Sequence, residues 1–301
     1  MLEKSTSLIK TDSDFISRGE RCSGWLFLPE GTENPPIVIM GHGFAAEKTF
    51  RLPAFAQRFV ENGMAVFMFD YRTFGPSGGE PRNYVNPFHH GQDWDAAISH
   101  VRQLDGIDTT RIALWGSSFA GGHVIYAAAR HNDITAIVSQ VPFVDGIASM
   151  IMAKPLDLLK ATLAGIWDIV KTTVFKSPHY VKAVGKPGEF AVMNTEESWK
   201  GYTGLIPEDS TWENKVCAKV LLMVPLYSPL LKATKVRCPA LVVAAEKDSL
   251  IPVKAVRWTA GRLKKGELLV LQCNHFEPYY GEWFEKIVAA ETAFLLKCFK
   301  L

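Results

Sequence analysis

The sequence lacks the features of a nucleic-acid-binding, secreted or membrane-spanning protein. It has 33 basic and 31 acidic residues, and a net charge of +2 gives no strong attraction for nucleic acid or an anionic membrane. No run of about 18 uncharged apolar residues occurs, which argues against a transmembrane helix. The first ten residues contain no apolar run of signal-peptide length. We therefore expect a cytoplasmic protein that acts on small molecules.

The sequence also has few cysteines, and their spacing excludes the common cysteine frameworks. There are five, an odd number, with no CxxC pair and no metal-ligand spacing to a histidine. This pattern predicts reduced thiols in a reducing compartment, with neither a disulfide framework nor a metal site.

What the sequence does contain is an alternation of short buried strands and amphipathic helices. Apolar runs typical of parallel strands occur at 37–40, 64–69, 111–115, 135–141, 241–245 and 267–272. Helical spacing fills the intervals between most of them, and a helix at 282–297 ends the chain. The alternation predicts an α/β fold with a mostly parallel sheet covered by helices on both faces.

The alternation is interrupted between residues 146 and 229. A helix that begins at Pro155 carries an apolar stripe (Leu156, Leu159, Leu163, Ile166, Trp167 and Val170). No clear strand is expected in this segment before residues 220–224. We interpret 146–229 as a lid inserted into a core formed by 1–145 and 230–301. The alternative is a set of ordinary packing helices with no role over a site.

The most informative segment is a strand, a tight turn of small residues and an apolar helix at residues 112–122. A nucleophilic serine requires a sharp strand-to-helix turn with small residues two places before and after it. Around Ser118 these places hold Gly116 and Ala120. The competitor Ser117 has bulky aromatic residues at both places. Ser118 is therefore the candidate nucleophile.

A serine becomes nucleophilic when a histidine takes its proton and a carboxylate orients that histidine. Asp248 and His275 each follow a predicted strand, in the chain order Ser, Asp, His. The carboxyl ends of parallel strands lie at one edge of the sheet, where ligands bind in α/β proteins. Asp145, which also follows a strand, is the rival acid.

The developing oxyanion needs backbone donors. We expect one from Phe119, directly after the nucleophile, and the other from Phe44 in the loop Gly41-His42-Gly43-Phe44. The two glycines let this loop turn closely, and His42 is expected to hold the turn by side-chain hydrogen bonds.

The chain resembles the α/β-hydrolases over nearly its whole length outside the insertion. The resemblance rests on the loop at 41–44, the segment Phe69-Asp70-Tyr71-Arg72 and the turn at Ser118. It points to a branch with bacterial acyl esterases, dienelactone-hydrolase-like proteins and the hydrolase domain of X-Pro dipeptidyl peptidases. It implies an eight-stranded sheet, a Ser118–Asp248–His275 triad and no metal or organic cofactor. Dienelactone hydrolases proper carry a cysteine where this chain has Ser118.

These features predict a serine hydrolase that cleaves a small or medium carboxylic ester or thioester through an acyl-enzyme. Met150, Met152 and Trp167 of the lid are the expected substrate contacts. The partner is then a small-molecule ester, with no nucleic acid and no membrane, and a homodimer is left open. The alternatives are an amide or C–C bond hydrolase with the same triad, or a non-catalytic binding protein with this fold.

Overall fold

The computed structural model describes residues 9–152 and 155–301, with the side chain of Ile9 excepted. Most of the N-terminal segment from which we inferred the absence of an export signal lies outside these ranges, so that inference and the cytoplasmic location stay predictions. Within the described ranges, no helix combines the length and apolar character needed to cross a bilayer.

Thirteen strands and nine helices make up the described part of the chain. The strands are β1 (Ile9–Asp12), β2 (Phe15–Ser17), β3 (Glu20–Cys22), β4 (Gly24–Leu28), β5 (Pro36–Gly41), β6 (Ala65–Phe69), β7 (Asp108–Ser117), β8 (Ala136–Gln140), β9 (Tyr180–Val184), β10 (Ala191–Met193), β11 (Val216–Cys217), β12 (Ala240–Ala245) and β13 (Gly266–Leu271). The helices are α1 (Leu52–Glu61), α2 (Pro87–Val101), α3 (Phe119–Ala128), α4 (Gly146–Met150), α5 (Pro155–Phe175), α6 (Glu196–Leu205), α7 (Val220–Met223), α8 (Val253–Arg262) and α9 (Gly281–Phe299).

Eight strands form the central sheet in the order β1-β4-β6-β5-β7-β8-β12-β13. β1 and β4 pair antiparallel, β4 is antiparallel to β6, and every pair from β6 to β13 is parallel. The predicted mostly parallel α/β fold is thereby confirmed. Because the strand ends of β7, β12 and β13 lie at one edge, the residues that follow them come close together.

Helices cover both faces of the sheet, which explains why the inner strands β5 and β6 are apolar throughout. Every residue of β5 and β6 is buried. One apolar cluster joins one face of the sheet to α2, α3 and α8, and a second joins the other face to α1 and α9.

The segment 146–229 contains helices α4–α7 and also a small sheet in the order β10-β9-β11. The expected strand at 220–224 is wrong, because residues 220–223 form α7 and a 3-10 turn follows. The run Val-Leu-Leu-Met is consistent with either structure by apolar character, and Leu and Met, which are not branched at Cβ, favour a helix. Packing decides it: Leu222 lies directly over Gly165 of α5.

Candidate active site

Ser118 lies at a strained turn between β7 and α3. Its backbone has φ 56° and ψ −117°, and its N–H donates to Gln140 O at 2.9 Å. A Cβ atom at Gly116 would lie 2.3 Å from Ala120 O, so only glycine fits there. The sequence requirement for small neighbours is therefore a consequence of how tightly β7 turns into α3.

The structure brings Ser118, His275 and Asp248 into one hydrogen-bonded row. His275 Nε2 lies 3.0 Å from Ser118 Oγ, and His275 Nδ1 lies 2.6 Å from Asp248 Oδ2. The other carboxylate oxygen of Asp248 accepts from the N–H groups of Leu250 and Ile251, both at 2.8 Å. These bonds hold the carboxylate in the loop after β12.

The rival residues predicted from the sequence are engaged elsewhere. Asp145 caps α4, where Oδ1 accepts from the N–H groups of residues 147 and 148 at 2.9 and 3.1 Å. Ser117 Oγ is buried and bonds to Tyr279 OH at 2.6 Å and to Gln140 Nε2 at 2.8 Å. Neither side chain therefore contacts His275.

His275 is buried between two carboxylates. Burial lowers the pKa of its imidazole, but the charge and hydrogen bond of Asp248 and the charge of Glu197 together raise it above its ordinary value. Glu197 belongs to α6, and its Oε1 accepts the backbone N–H of His275 at 2.7 Å. A residue of the inserted segment thus contacts the loop that carries the candidate base.

The loop at 41–44 passes directly over the nucleophile. A Cβ atom at Gly43 would lie 3.3 Å from Ser118 Cβ, a tight contact that would press on the candidate nucleophile. Phe119 is the first residue of α3, so its N–H has no acceptor within the helix. The rings of Phe44 and Phe119 pack edge to face with centroids 5.6 Å apart. Phe44 and Ser118 line one small cavity, and Phe119 directly follows Ser118, so both residues lie beside the candidate nucleophile.

Segment 146–229 also binds this loop and the residue that follows it. Tyr202 OH donates to Phe44 O at 3.0 Å, and Trp212 Nε1 donates to Ala45 O at 2.7 Å. The two carbonyls are thereby held, which fixes the peptide planes that follow Phe44 and Ala45.

A buried ion pair holds the loop from its other side. Lys48 Nζ lies 2.5 Å from Asp70 Oδ2, and Lys48 N–H donates to Asp70 Oδ1 at 2.6 Å. His42 Nδ1 lies 3.0 Å from Gly43 O, and burial lowers the pKa of His42 to about 4. His42 is therefore neutral at pH 7 and donates this hydrogen bond to the turn.

A small cavity of about 30 Å³ opens beside Ser118 and His275, with room for about one or two water molecules. Its other walls are mostly aromatic or apolar and include Phe50, Leu52, Met193, Tyr202, Leu205, Phe276 and Tyr279. The predicted substrate contacts Met150, Met152 and Trp167 do not line this cavity, and their role stays a prediction. Met152 and Trp167 are both 49% exposed.

Several residues of the site could not be found by motif. Tyr279 follows His275 by only four residues, and this short spacing is the signal in the sequence that places it near the site. Glu197, Tyr202 and Met193 come from the inserted segment, where no motif indicates which residues reach the sheet edge.

Comparisons with known proteins identify the family of this architecture. The sequence model of the family described as serine aminopeptidase, S33 matches residues 32–189. The chain is 36% identical to the quorum-quenching protein AidA of Acinetobacter baumannii over 94% of this chain and 93% of that protein. It is 38% identical to the thiohydrolase aneE of Aspergillus aculeatus over 42% of this chain and 39% of that protein. The crystal structure of the α/β hydrolase GrgF from a Penicillium species superposes with a TM-score of 0.84 at 24% identity, covering 98% and 100% of the two chains.

Proposed function

Because the chain belongs to the serine aminopeptidase S33 family of α/β-hydrolases, we propose that it is a serine hydrolase of small or medium carboxylic esters or thioesters. The observation that carries this proposal is the hydrogen-bonded row from Ser118 through His275 to Asp248. An apposed serine, imidazole and carboxylate are the parts that acyl transfer requires.

In the proposed reaction, Ser118 Oγ attacks the carbonyl carbon while His275 Nε2 takes its proton. Asp248 keeps Nδ1 protonated and stabilises the imidazolium that forms. His275 then gives the proton to the leaving alcohol or thiol, which leaves an acyl group on Ser118. A water molecule, deprotonated by the same histidine, attacks the acyl-enzyme and releases the acid.

The backbone N–H groups of Phe44 and Phe119 are the proposed oxyanion donors. Their position beside Ser118, together with the free first N–H of α3, supports this role. The bonds from Tyr202 and Trp212 to the same loop support a cap role for 146–229.

An ester or thioester suits the site better than a charged substrate. The cavity wall is mostly aromatic and apolar, so the acyl or alcohol group beside Ser118 is expected to be apolar. The relative named a thiohydrolase supports a thioester in particular. Amide and C–C bond cleavage use the same triad and remain the alternatives within the enzyme class.

The proposal is tested with a chain-length series of p-nitrophenyl esters and matched thioester and amide analogues. Ser118→Ala should lower turnover on the order of 10⁴-fold or more, and labelling by a fluorophosphonate probe should disappear. The matched control is Ser117→Ala, which keeps the nucleophile. Near-native turnover in Ser118→Ala would refute the assignment, and folded protein that neither turns over nor takes the label would favour a binding protein.

A second candidate is quorum quenching, favoured by 36% identity over nearly the whole chain to a protein of that name. The test is incubation of spent medium from a quorum-sensing culture with the protein and with Ser118→Ala. If only the wild type lowers the quorum-sensing activity of the medium, quenching depends on Ser118. If the wild type leaves that activity unchanged, this candidate is removed.

A further inference from the structure

Helix α5 turns its apolar side toward solvent. Nine of its large apolar residues are exposed, each to between 38% and 64%: Leu156, Leu159, Leu163, Ile166, Trp167, Ile169, Val170, Val174 and Phe175. We call these residues the α5 face. A surface helix in a globular protein ordinarily has the opposite orientation, with its apolar side against the core.

The orientation of α5 is held by its polar side. Asp168 is fully buried and accepts from the N–H groups of His179 at 2.7 Å and Lys219 at 2.8 Å. Gly165 lies so close to Leu222 of α7 that a Cβ atom would approach it to 2.6 Å. Rotating the apolar stripe inward would break these bonds and bring larger side chains against α7. The α5 face is therefore a fixed property of the fold.

The exposed area is large enough for a stable interface. An aromatic side chain buries about 150–250 Å² and an aliphatic one less, so nine side chains that are each about half exposed present roughly 700 Å². That is about what one partner contributes to an interface of standard size, and it exceeds the usual largest apolar patch of a monomer.

The spacing of the α5 face suits another helix as the partner. Residues 156, 159, 163, 166 and 170 alternate in steps of three and four, so they form a stripe along which a second helix can pack. We propose that the α5 face binds the α5 face of a second copy of this chain, with the two helices antiparallel.

The antiparallel arrangement makes the face self-complementary. The two-fold axis then lies midway between Leu163 and Ile166. Leu163 of one copy contacts Ile166 of the other copy, and Leu159 contacts Val170 in the same way. The N-terminus of each helix then lies beside the C-terminus of the other, so the helix dipoles attract. Lys160, the one exposed charged side chain within α5, meets the apolar C-terminal end of the second helix rather than another lysine.

The charges of α5 disfavour a lipid surface as the occupant. A helix that lies on an anionic membrane carries a row of Lys and Arg side chains on its polar face, at the level of the headgroups. Here the polar face is turned into the protein, and Asp168 is buried there.

Sedimentation velocity at micromolar concentration tests the proposal. We expect wild-type protein to sediment as a species of twice 33.4 kDa and the double variant Leu163→Glu/Ile166→Glu as a monomer, with a dimer Kd at least 100-fold weaker. Both side chains are exposed, so the variant should keep the far-UV circular dichroism of the wild type. The matched control is Ile16→Glu, the same change at a 64% exposed residue outside the α5 face.

Spin-label distances test the direction of the helices. Thr162→Cys and Thr173→Cys are made in a Cys298→Ser background, because the other four cysteines are buried. An antiparallel pair predicts a separation of about 10–15 Å between labels at 162 and about 25 Å or more between labels at 173. Short distances at both positions would overturn the antiparallel arrangement.

The remaining outcomes are also decisive. A wild-type monomer, or a double variant that remains dimeric, would overturn the proposal. So would a monomer that binds phosphatidylglycerol vesicles through the α5 face, since this would make a lipid surface the occupant. None of these measurements uses Ser118, and their outcome is independent of the proposed hydrolase activity.

Discussion

At the scale of single residues, small side chains determine where the candidate nucleophile lies. Gly116 lets β7 turn sharply into α3, and Gly43 lets the preceding loop pass over Ser118. A side chain at Gly116 would displace backbone, and one at Gly43 would press on Ser118 Cβ at 3.3 Å. The positive φ of Ser118 is kept by the surrounding bonds, including the one from its N–H to Gln140 O.

Two aspartates give a matched pair of residue-scale predictions. Asp248→Asn should lower kcat on the order of 10⁴-fold, because an amide at this position favours the wrong tautomer of His275. Asp145→Asn should keep wild-type turnover, since Asp145 caps α4 and Asn is an equally good N-cap. Steady-state kinetics on one p-nitrophenyl ester compares them. A large loss in Asp145→Asn with little loss in Asp248→Asn would reverse the assignment of the acid.

At the scale of elements, α6 links the inserted segment to the site. Its N-terminus is closed by a capping box between Thr195 and Ser198, which fixes the first turn. Glu197 in that turn accepts the backbone N–H of His275, and Tyr202 further along the helix bonds to Phe44 O. One helix thus contacts both the loop of the candidate base and the loop of the proposed oxyanion donor.

This link predicts a change in pH dependence. The negative charge of Glu197 raises the pKa of His275, and the base acts only when neutral. Glu197→Gln keeps an oxygen that can accept the His275 N–H but removes the charge, so the pKa should fall. The acid limb of the kcat/KM profile should therefore move to lower pH.

The matched control is Glu196→Gln, the neighbouring residue, which forms an exposed ion pair with Lys200. An unchanged acid limb in Glu197→Gln, or an equal shift in Glu196→Gln, would contradict a specific effect of Glu197 on His275.

At the scale of the whole molecule, a buried carboxyl connects the sheet to α9. Glu291 is fully buried, and one of its oxygens accepts from Trp115 Nε1 at 2.8 Å. Its other oxygen has no partner among the described residues. Burial raises the pKa of Glu291 to about 8, against 4.5 for an ordinary glutamate.

The raised pKa makes the stability of the fold depend on pH. Between about pH 4.5 and 8 the folded state keeps the Glu291 proton while the unfolded state has lost it. The free energy of unfolding therefore falls as pH rises through this window. Glu291→Gln keeps an acceptor for Trp115 and cannot ionise, so its stability should fall less across the window. Urea unfolding at pH 5 and pH 8.5 gives the free energy of unfolding of each protein at the two pH values. An equal fall in that free energy in wild type and Glu291→Gln would contradict this role of Glu291.

Much of the architecture and the core of the candidate site could be predicted because their signals are local. Buried parallel strands are apolar runs, and a tight turn between strand and helix demands small residues around Ser118. Asp248 and His275 were predicted as site residues because they follow such runs. Parallel strands place their carboxyl ends at one edge, so three local patterns predicted one site.

The rest depended on contacts between segments far apart in the chain. The expected strand at 220–224 became α7, whose Leu222 packs over Gly165. The short strands β9–β11 carry no strong pattern. The cavity wall includes Phe50, Tyr202 and Tyr279. The expected contacts Met150, Met152 and Trp167 do not line it.

Helix α5 shows the division between the two kinds of information most clearly. Its sequence alone determined that it is a helix with an apolar stripe and a polar side, because spacing in a helix is a local property. Which side faces solvent was decided only by tertiary structure, where Asp168 finds its partners at His179 and Lys219. A buried carboxylate must be hydrogen-bonded, whereas an apolar side chain can remain exposed at a smaller free-energy penalty.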